Sequence, residues 1–287
     1  MSLNIYSPAK VNLRLEVLRK RCDSYHDIVS LIQPIALYDE ISIEVEEGNS
    51  IEVDMPKFPE LKGQSNLAYR AAEFFFAETG LKACASISID KSIPVAAGLG
   101  GGSSNAATVL KGLNSIFDTP IPQKRLMEMG KEIGADVPFF LWGSAAIVQG
   151  IGEVIEGIYL PEIWYLIVDL RFPVSTGSVY KGLNLDLTKK GVGINIRHLK
   201  RSLKDALTIK EILYNDLEQT VCIRHPELMD VKRLLVDSGA LGSLVTGSGP
   251  TVFGIFQNKR DVEKTYNLLM DDVTRRGWSL YLVRSIN

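Results

Sequence analysis

The sequence predicts an α+β protein of two lobes. Alternating strand patterns crowd the first third of the chain, helices and strands interleave after it, and the length suits two cores. At 287 residues, 46% of them hydrophobic, folding buries roughly three-quarters of the extended chain's surface, and cores tend to divide near this size.

The elements follow in order. Val11, Leu13, Leu15 and Val17 alternate with Asn12, Arg14 and Glu16, the period of a half-buried strand. Ile41, Ile43 and Val45 repeat the pattern, and Ile51 to Val53 continue the same sheet. Ser65 is placed to cap a helix running to Thr79, with Gly80 where helices end. Ser86 to Asp90 alternates as a strand, Pro94 to Gly102 is turn-rich, and Ser103 to Phe117 has a helical pattern. A further helix from Pro122 to Ile133 stops at Gly134. In the second half, Trp164 to Leu170 and Thr251 to Phe256 read as strands, and Ser279 to Val283 as a final one. Pro226 to Ser238, closed by Gly239, and Asp261 to Arg275 read as helices. No repeat, low-complexity tract or linker interrupts the chain, and the two lobes are expected as residues 1–157 and 158–287.

Composition excludes several classes. Lys plus Arg is 32 and Asp plus Glu is 34, a net charge of −2, so nothing calls for a nucleic acid or an anionic membrane as partner. Cys22, Cys84 and Cys222 are odd in number and far apart, which supports neither a disulfide framework nor a zinc site. The N-terminus mixes polar residues with Pro8 and Lys10, and apolar runs such as Trp164 to Val168 are too short to span a bilayer. A soluble cytoplasmic protein is expected, with no stated oligomeric state.

The most informative stretch is Pro94, Val95, Ala96, Ala97, Gly98, Leu99, Gly100, Gly101, Gly102, Ser103 and Ser104, followed by a clean helical run. Glycine admits positive φ and a close approach to a ligand. A helix start offers unpaired N–H groups and partial positive charge, so the segment suits phosphate. The hydroxyls of Ser103 and Ser104 add donors or a metal ligand. A Walker A loop fails because no Lys lies between Lys91 and Lys111, and a dinucleotide fingerprint fails because Ser103 and Asn105 stand where glycine is needed. A plain glycine turn capped by serine is the simpler reading, but three consecutive glycines exceed what a turn requires.

Pro94 to Ala107 resembles the second motif of the GHMP kinases. Ser7 to Leu13 resembles their first motif, and Val245 to Phe253 their third, a glycine loop before a strand that helps close the nucleotide site. The three stand in the family's order and span nearly the whole chain. The resemblance implies an N-terminal ribosomal-protein-S5-like lobe, a ferredoxin-like C-terminal lobe and an active site in the cleft. It also implies ATP-dependent phosphorylation of a small-molecule hydroxyl. Arg21 to His26, Gly134 to Phe139 and Ser175 to Tyr180 resemble the branch that acts, in isoprenoid biosynthesis, on a methylerythritol carrying a cytidine diphosphate group. Ser24 departs from that branch, which usually has Gly there.

The resemblance assigns roles residue by residue. Asp136 would orient or deprotonate the acceptor hydroxyl, and Lys10 would keep it ionised and offset γ-phosphate charge. An ammonium near a carboxylate lowers the latter's pKa, so the pair is coherent. Pro94 to Ser104 would hold the ATP phosphates, and Asn66 and Lys91 would line the adenine pocket. Tyr25, His26 and Tyr180 would read cytosine, and Asn12 and Thr176 would donate to diphosphate or sugar. Mg²⁺ would arrive with ATP, with Ser104 as candidate ligand. Other family substrates lack a nucleobase and would leave the three aromatics without a task. A silent nucleotide-binding regulator would not need Lys10 and Asp136 together. His198, Lys200, Arg201 and Lys204 read as a solvated helix face, His225 as local structure and Phe74 to Phe76 as core.

Overall fold

The computed structural model describes residues 1–118, 121–183, 203 and 205–287. The basic cluster at His198, Lys200, Arg201 and Lys204 lies outside the described residues. Proximity groups the chain into two compact units. Met1–Ala9, Leu37–Ile93 and Gly100–Gly143 form the first; Lys10–Ala36, Pro94–Leu99 and Ser144–Asn287 form the second. Each draws on several stretches because β1 (Ser2–Lys20) and β2 (His26–Glu46) give one end to each unit.

The first unit continues with β3 (Ser50–Asp54), α1 (Leu67–Thr79) and β4 (Cys84–Asp90). It ends with α2 (Gly101–Ile116), α3 (Gln123–Ile133) and α4 (Val137–Trp142). β4 pairs antiparallel with Glu40–Glu46 of β2 and parallel with β3. Ile41, Ile43, Val45, Ile87 and Ile89 point inward from these strands and are buried. α2 lies so close to the sheet that a Cβ on Gly112 would stand 2.6 Å from Ile43 Cδ1 and 2.8 Å from Ile5 Cδ1. Asn66, not Ser65, caps α1, its Oδ1 accepting from Ala68 N–H at 2.8 Å. Gly80 ends that helix in the left-handed conformation. Phe75 is fully buried and packs on Phe76 and Phe117, as core.

The second unit adds β5 (Ala146–Gly150) and β6 (Val154–Gly157), with β5 antiparallel to Ile28–Ile32 of β2. Then come β7 (Trp164–Asp169), α5 (Thr176–Lys181), α6 (Ala206–Lys210), β8 (Tyr214–Asn215) and α7 (Asp216–Arg224). The chain closes with α8 (Glu227–Asp237), β9 (Gly242–Val245), β10 (Val252–Phe256), α9 (Lys259–Arg275) and β11 (Ser279–Arg284). β11, β7, β10 and β9 form an antiparallel sheet in that spatial order, with α8 and α9 packed on it. Numbered along the chain as 1 to 4, the strands stand 4-1-3-2 with a helix after the first and the third, which is the ferredoxin-like order expected. Leu166, Val168, Leu228, Leu235, Val252 and Val262 fill the core between sheet and helices. β8 is short and pairs parallel with β1, Leu15 opposite Asn215.

β1 is longer than its sequence pattern suggested, and its centre is buried on both faces from Ala9 to Leu13. Asn12 therefore does not face solvent as a half-buried strand would place it. Polar groups taken from water must find partners inside, and these do.

Candidate active site

Lys10 is only 4% exposed, at the centre of β1. Its Nζ donates to Asn12 Oδ1 at 2.5 Å, the residue two positions on and so on the same face of the strand. Its backbone N–H donates to Leu99 O at 3.0 Å, which ties the strand to the glycine-rich segment. Asn12 Nδ2 donates to Ser30 Oγ at 2.8 Å, and Ser30 Oγ donates to Arg14 O at 2.7 Å. Asn12 N–H donates to Thr246 Oγ1 at 3.0 Å. Asn12 thus orients the lysine, a role beyond the phosphate or sugar donor expected of it.

The second and third motifs meet backbone to backbone. Gly98 has φ +77°, and a Cβ there would lie 2.4 Å from Thr246 O. Gly247, at φ +57°, would carry its Cβ 3.3 Å from Gly98 O and 3.5 Å from Asn12 Oδ1. Both positions need glycine because two loops interlock there, whatever ligand they hold. Gly100, at φ +72°, is the last residue before α2. Gly101 differs from expectation: it is helical without positive φ, and a Cβ would stand 2.8 Å from Lys91 Nζ and 3.0 Å from Ile93 Cγ2. Its glycine is required by the protein interior. Gly102 is exposed, with Leu67 Cδ1 at 3.8 Å as the nearest neighbour of an added Cβ, so this first-turn position is the open one. Ala96 takes φ +54°, a conformation in which a Cβ is strained.

Behind the helix start lies a buried polar cluster. Asp39 is fully buried, and its Oδ1 accepts from the N–H groups of Ser92 and Ile93, each at 2.9 Å. Its Oδ2 accepts from Asn105 Nδ2 at 2.9 Å and from the Lys91 ammonium. Burial pulls the Lys91 ammonium below the ordinary lysine range, against the opposing pull of Asp39. Asn105 Nδ2 also donates to Ser7 Oγ at 3.1 Å, and Ser7 Oγ donates to Ser104 Oγ at 2.7 Å. Ser104 is fully buried, whereas Ser103 is partly exposed. Asn66 caps α1 and donates to Leu61 O at 2.9 Å, so its carboxamide shapes the loop before that helix. Asp136 immediately precedes α4, and its side chain does not cap the helix. It belongs to the first unit and Lys10 to the second.

The remaining candidates lie in the second unit. Arg21 N–H donates to Tyr25 O at 2.8 Å, closing a turn between β1 and β2. Ser24 sits in that turn at φ +69°, where glycine is favoured, and adopts it nonetheless. Tyr25 is 58% exposed. His26 stacks on Tyr180, with centroids 5.0 Å apart and planes 29° apart. Burial and the charge of Lys20 hold the His26 imidazole below its usual pKa. Thr176, at the first position of α5, shares a hydrogen bond with Ser248 at 2.9 Å, linking that helix to the third glycine loop.

Sequence reasoning missed Asp39 and Ser30. Asp39 had a readable signal, since it occupies the inward phase set by Leu37, Ile41, Ile43 and Val45. Ser30 lies in a run buried on both faces and had none. Among the described residues, no group of three or more His, Cys, Asp or Glu side chains is placed to hold a metal ion. No helix among them is long and apolar enough to cross a membrane.

Comparison with known proteins bears on what this arrangement does. The GHMP kinases N terminal domain matches residues 66–144, and GHMP kinases C terminal matches residues 196–269. A 4-diphosphocytidyl-2-C-methyl-D-erythritol kinase of Geobacter metallireducens is 44% identical over 286 residues, covering 99% of both chains. The crystal structure of a 4-(cytidine 5'-diphospho)-2C-methyl-D-erythritol kinase superposes with a TM-score of 0.84 at 29% identity, over 99% of this chain and 100% of that one. A homoserine kinase from Cytophaga hutchinsonii shares the fold, with a TM-score of 0.77 at 18% identity over 99% of this chain and 94% of its own.

Proposed function

The chain belongs to the GHMP kinase family, and from that membership we propose that it transfers the γ-phosphoryl group of ATP to the 2-hydroxyl of 4-diphosphocytidyl-2-C-methyl-D-erythritol, in the non-mevalonate route to isoprenoids. One observation carries the choice of substrate: 44% identity from end to end with a kinase of that name. The fold alone would not choose, because a homoserine kinase has it too.

In the transfer, the bond from the γ-phosphorus to the ADP oxygen breaks as a bond to the substrate 2-oxygen forms. The hydroxyl proton passes to, or is oriented by, Asp136. Lys10, held by Asn12 and by Leu99 O, is assigned to the charge that develops on the phosphoryl oxygens. The start of α2, with the exposed Gly102 and the partly exposed Ser103, is assigned to phosphate. Mg²⁺ is assigned to the nucleotide and would offset phosphate charge. The interior hydroxyl of Ser104 supports the loop beneath it. Tyr25, His26 and Tyr180 are assigned to cytosine, Thr176 to the diphosphate or sugar, and Asn66 and Lys91 to the surroundings of adenine. Residues 1–157 and 158–287 are assigned as the family lobes by chain order, and the cytoplasm as the location.

Turnover of ATP measured with the cytidylylated substrate, mevalonate and homoserine tests the reading. Phosphorylation of the first alone is the expected result. Preference for either of the others would overturn the substrate, and absence of transfer to all three would overturn the enzyme.

A further inference from the structure

Polar side chains around the start of α7 converge on the third glycine loop and on β1, and phosphoryl transfer as described leaves them without a role. Asn215 is 6% exposed, and its carboxamide is used on both ends. Nδ2 donates to Val245 O and to Gly247 O, each at 2.8 Å, and Oδ1 accepts from Leu217 N–H at 3.0 Å as the cap of α7. Glu218 Oε2 accepts from Val245 N–H at 2.9 Å, and its other oxygen pairs with Lys232. Asp216 Oδ2 accepts from Val17 N–H at 2.7 Å, fastening the same segment to β1. A carboxamide alone among small side chains offers two donors and an acceptor in one plane, which is what this position uses.

The tethered residues bracket Thr246. Its Oγ1 accepts from Asn12 N–H at 3.0 Å and donates to Asn12 Oδ1 at 3.4 Å, and that same Oδ1 accepts from Lys10 Nζ. Gly247 in turn packs against Gly98 of the second motif. We infer that Asn215 is a positioning residue for phosphoryl transfer: by holding Val245 O and Gly247 O it keeps Thr246 in register with Asn12, and so fixes where the Lys10 ammonium points. The catalytic half of this inference rests on the kinase reading; the tether itself does not.

Asn215→Asp is the discriminating variant. It preserves shape and the acceptor for Leu217 N–H, but it turns a donor toward two carbonyls into a second acceptor. Amide hydrogen exchange of residues 245–251, read without any ligand, should quicken by about tenfold or more, as expected for loss of a buried hydrogen bond. With ATP and the cytidylylated substrate, kcat should fall by up to about 100-fold, the scale of a misplacement of about 1 Å in a reacting geometry, while KM changes little. Thr265→Val serves as the stability control. It removes a hydrogen bond from Thr265 Oγ1 to Ser238 O, 2.8 Å long, and should lower the melting temperature with kcat unchanged. If Asn215→Asp fails to fold, Asn215→Ser keeps a cap but lacks the reach to the loop, and the same readouts apply. Unchanged exchange would remove the tether. Faster exchange with wild-type kcat would reduce Asn215 to a local fold element, and an equal loss of kcat in Thr265→Val would make the effect one of stability. A wild-type protein unable to phosphorylate the cytidylylated substrate would count against the kinase reading, and the ligand-free exchange would still decide the tether.

Discussion

At the scale of single residues, Asp39 and Asp136 show how differently two carboxylates are used. Asp39 has no exposure and accepts from two backbone N–H groups, Asn105 and the buried Lys91, so its charge is matched inside the protein. Asp39→Ala would leave the Lys91 ammonium buried without its anion, a loss of about 3–5 kcal/mol that chemical denaturation would measure. Asp136 does not serve its helix as a cap, and its assigned task is chemical. Asp136→Asn should lower kcat by about 10²–10⁴-fold, the usual contribution of proton transfer, with ATP binding by calorimetry unchanged. Near-full turnover in that variant would remove Asp136 from the mechanism. His26 carries a pH dependence. Its folded pKa lies below the free value of 6.5, so the fold favours the neutral ring. The stability this contributes is complete above 6.5 and is lost as pH falls through the lower, folded value. An NMR titration of His26 should place its midpoint below 6.5. Of these residues, Asp136 and His26 were singled out in the sequence by their motifs; Asp39 was passed over because a carboxylate in a strand is read as outward-facing, although its place in the inward phase of Leu37, Ile41 and Ile43 was there to be read.

At the scale of elements, helices were easier to read than strands, for a physical reason. α1, α3 and α9 have an amphipathic period and end close to the positions expected, since helix stops such as Gly80 and Gly134 are chemically marked. β1 and β2 run to 19 and 21 residues, and polar members such as Lys10, Asn12, Ser30 and Asp39 are buried and hydrogen-bonded inside, so alternation stops signalling their extent. β8 is two residues long and α5 six, too short for any period to register. The start of α2 shows the limit of reading glycine as ligand contact. Gly101 faces Lys91 and Ile93, whereas Gly102 is exposed and an added Cβ would meet Leu67 Cδ1 at an ordinary contact of 3.8 Å. Gly101→Val should therefore overpack the interior and lower stability by about 1–3 kcal/mol. Gly102→Val should leave the melting temperature nearly unchanged and, on the phosphate assignment, weaken ATP binding, because its bulk would stand at the first turn to which phosphate is assigned. Calorimetry giving wild-type ATP affinity in a folded Gly102→Val protein would contradict the phosphate assignment.

At the scale of the whole molecule, the fold is common to kinases of different substrates, so specificity must rest on a few side chains set into it. Those assigned to the base lie together in the second unit: Tyr25 exposed on its turn, and His26 stacked on Tyr180. Their motifs were legible in sequence, but the His26–Tyr180 contact was not, because it joins residues 26 and 180, whose spacing carries no period. If the base stacks on these aromatics, Tyr25→Ala and Tyr180→Ala should each cost about 1–3 kcal/mol of substrate binding, by analogy with bases stacked in single-stranded nucleic-acid sites. That is roughly 5- to 150-fold in KM for the cytidylylated substrate, with KM for ATP unmoved. Tyr180→Ala has a second consequence that Tyr25→Ala lacks. It uncovers His26, relieving the burial that lowers its pKa, so the His26 titration should move up toward 6.5. Removing the cytidylyl group from the substrate should cost at least as much as either substitution, and should abolish the difference between wild type and Tyr25→Ala. Equal turnover of the truncated substrate, or unchanged KM in both tyrosine variants, would place cytosine recognition elsewhere. A shift in the His26 titration without a change in KM would show that the stack belongs to the free protein and takes no part in reading the base.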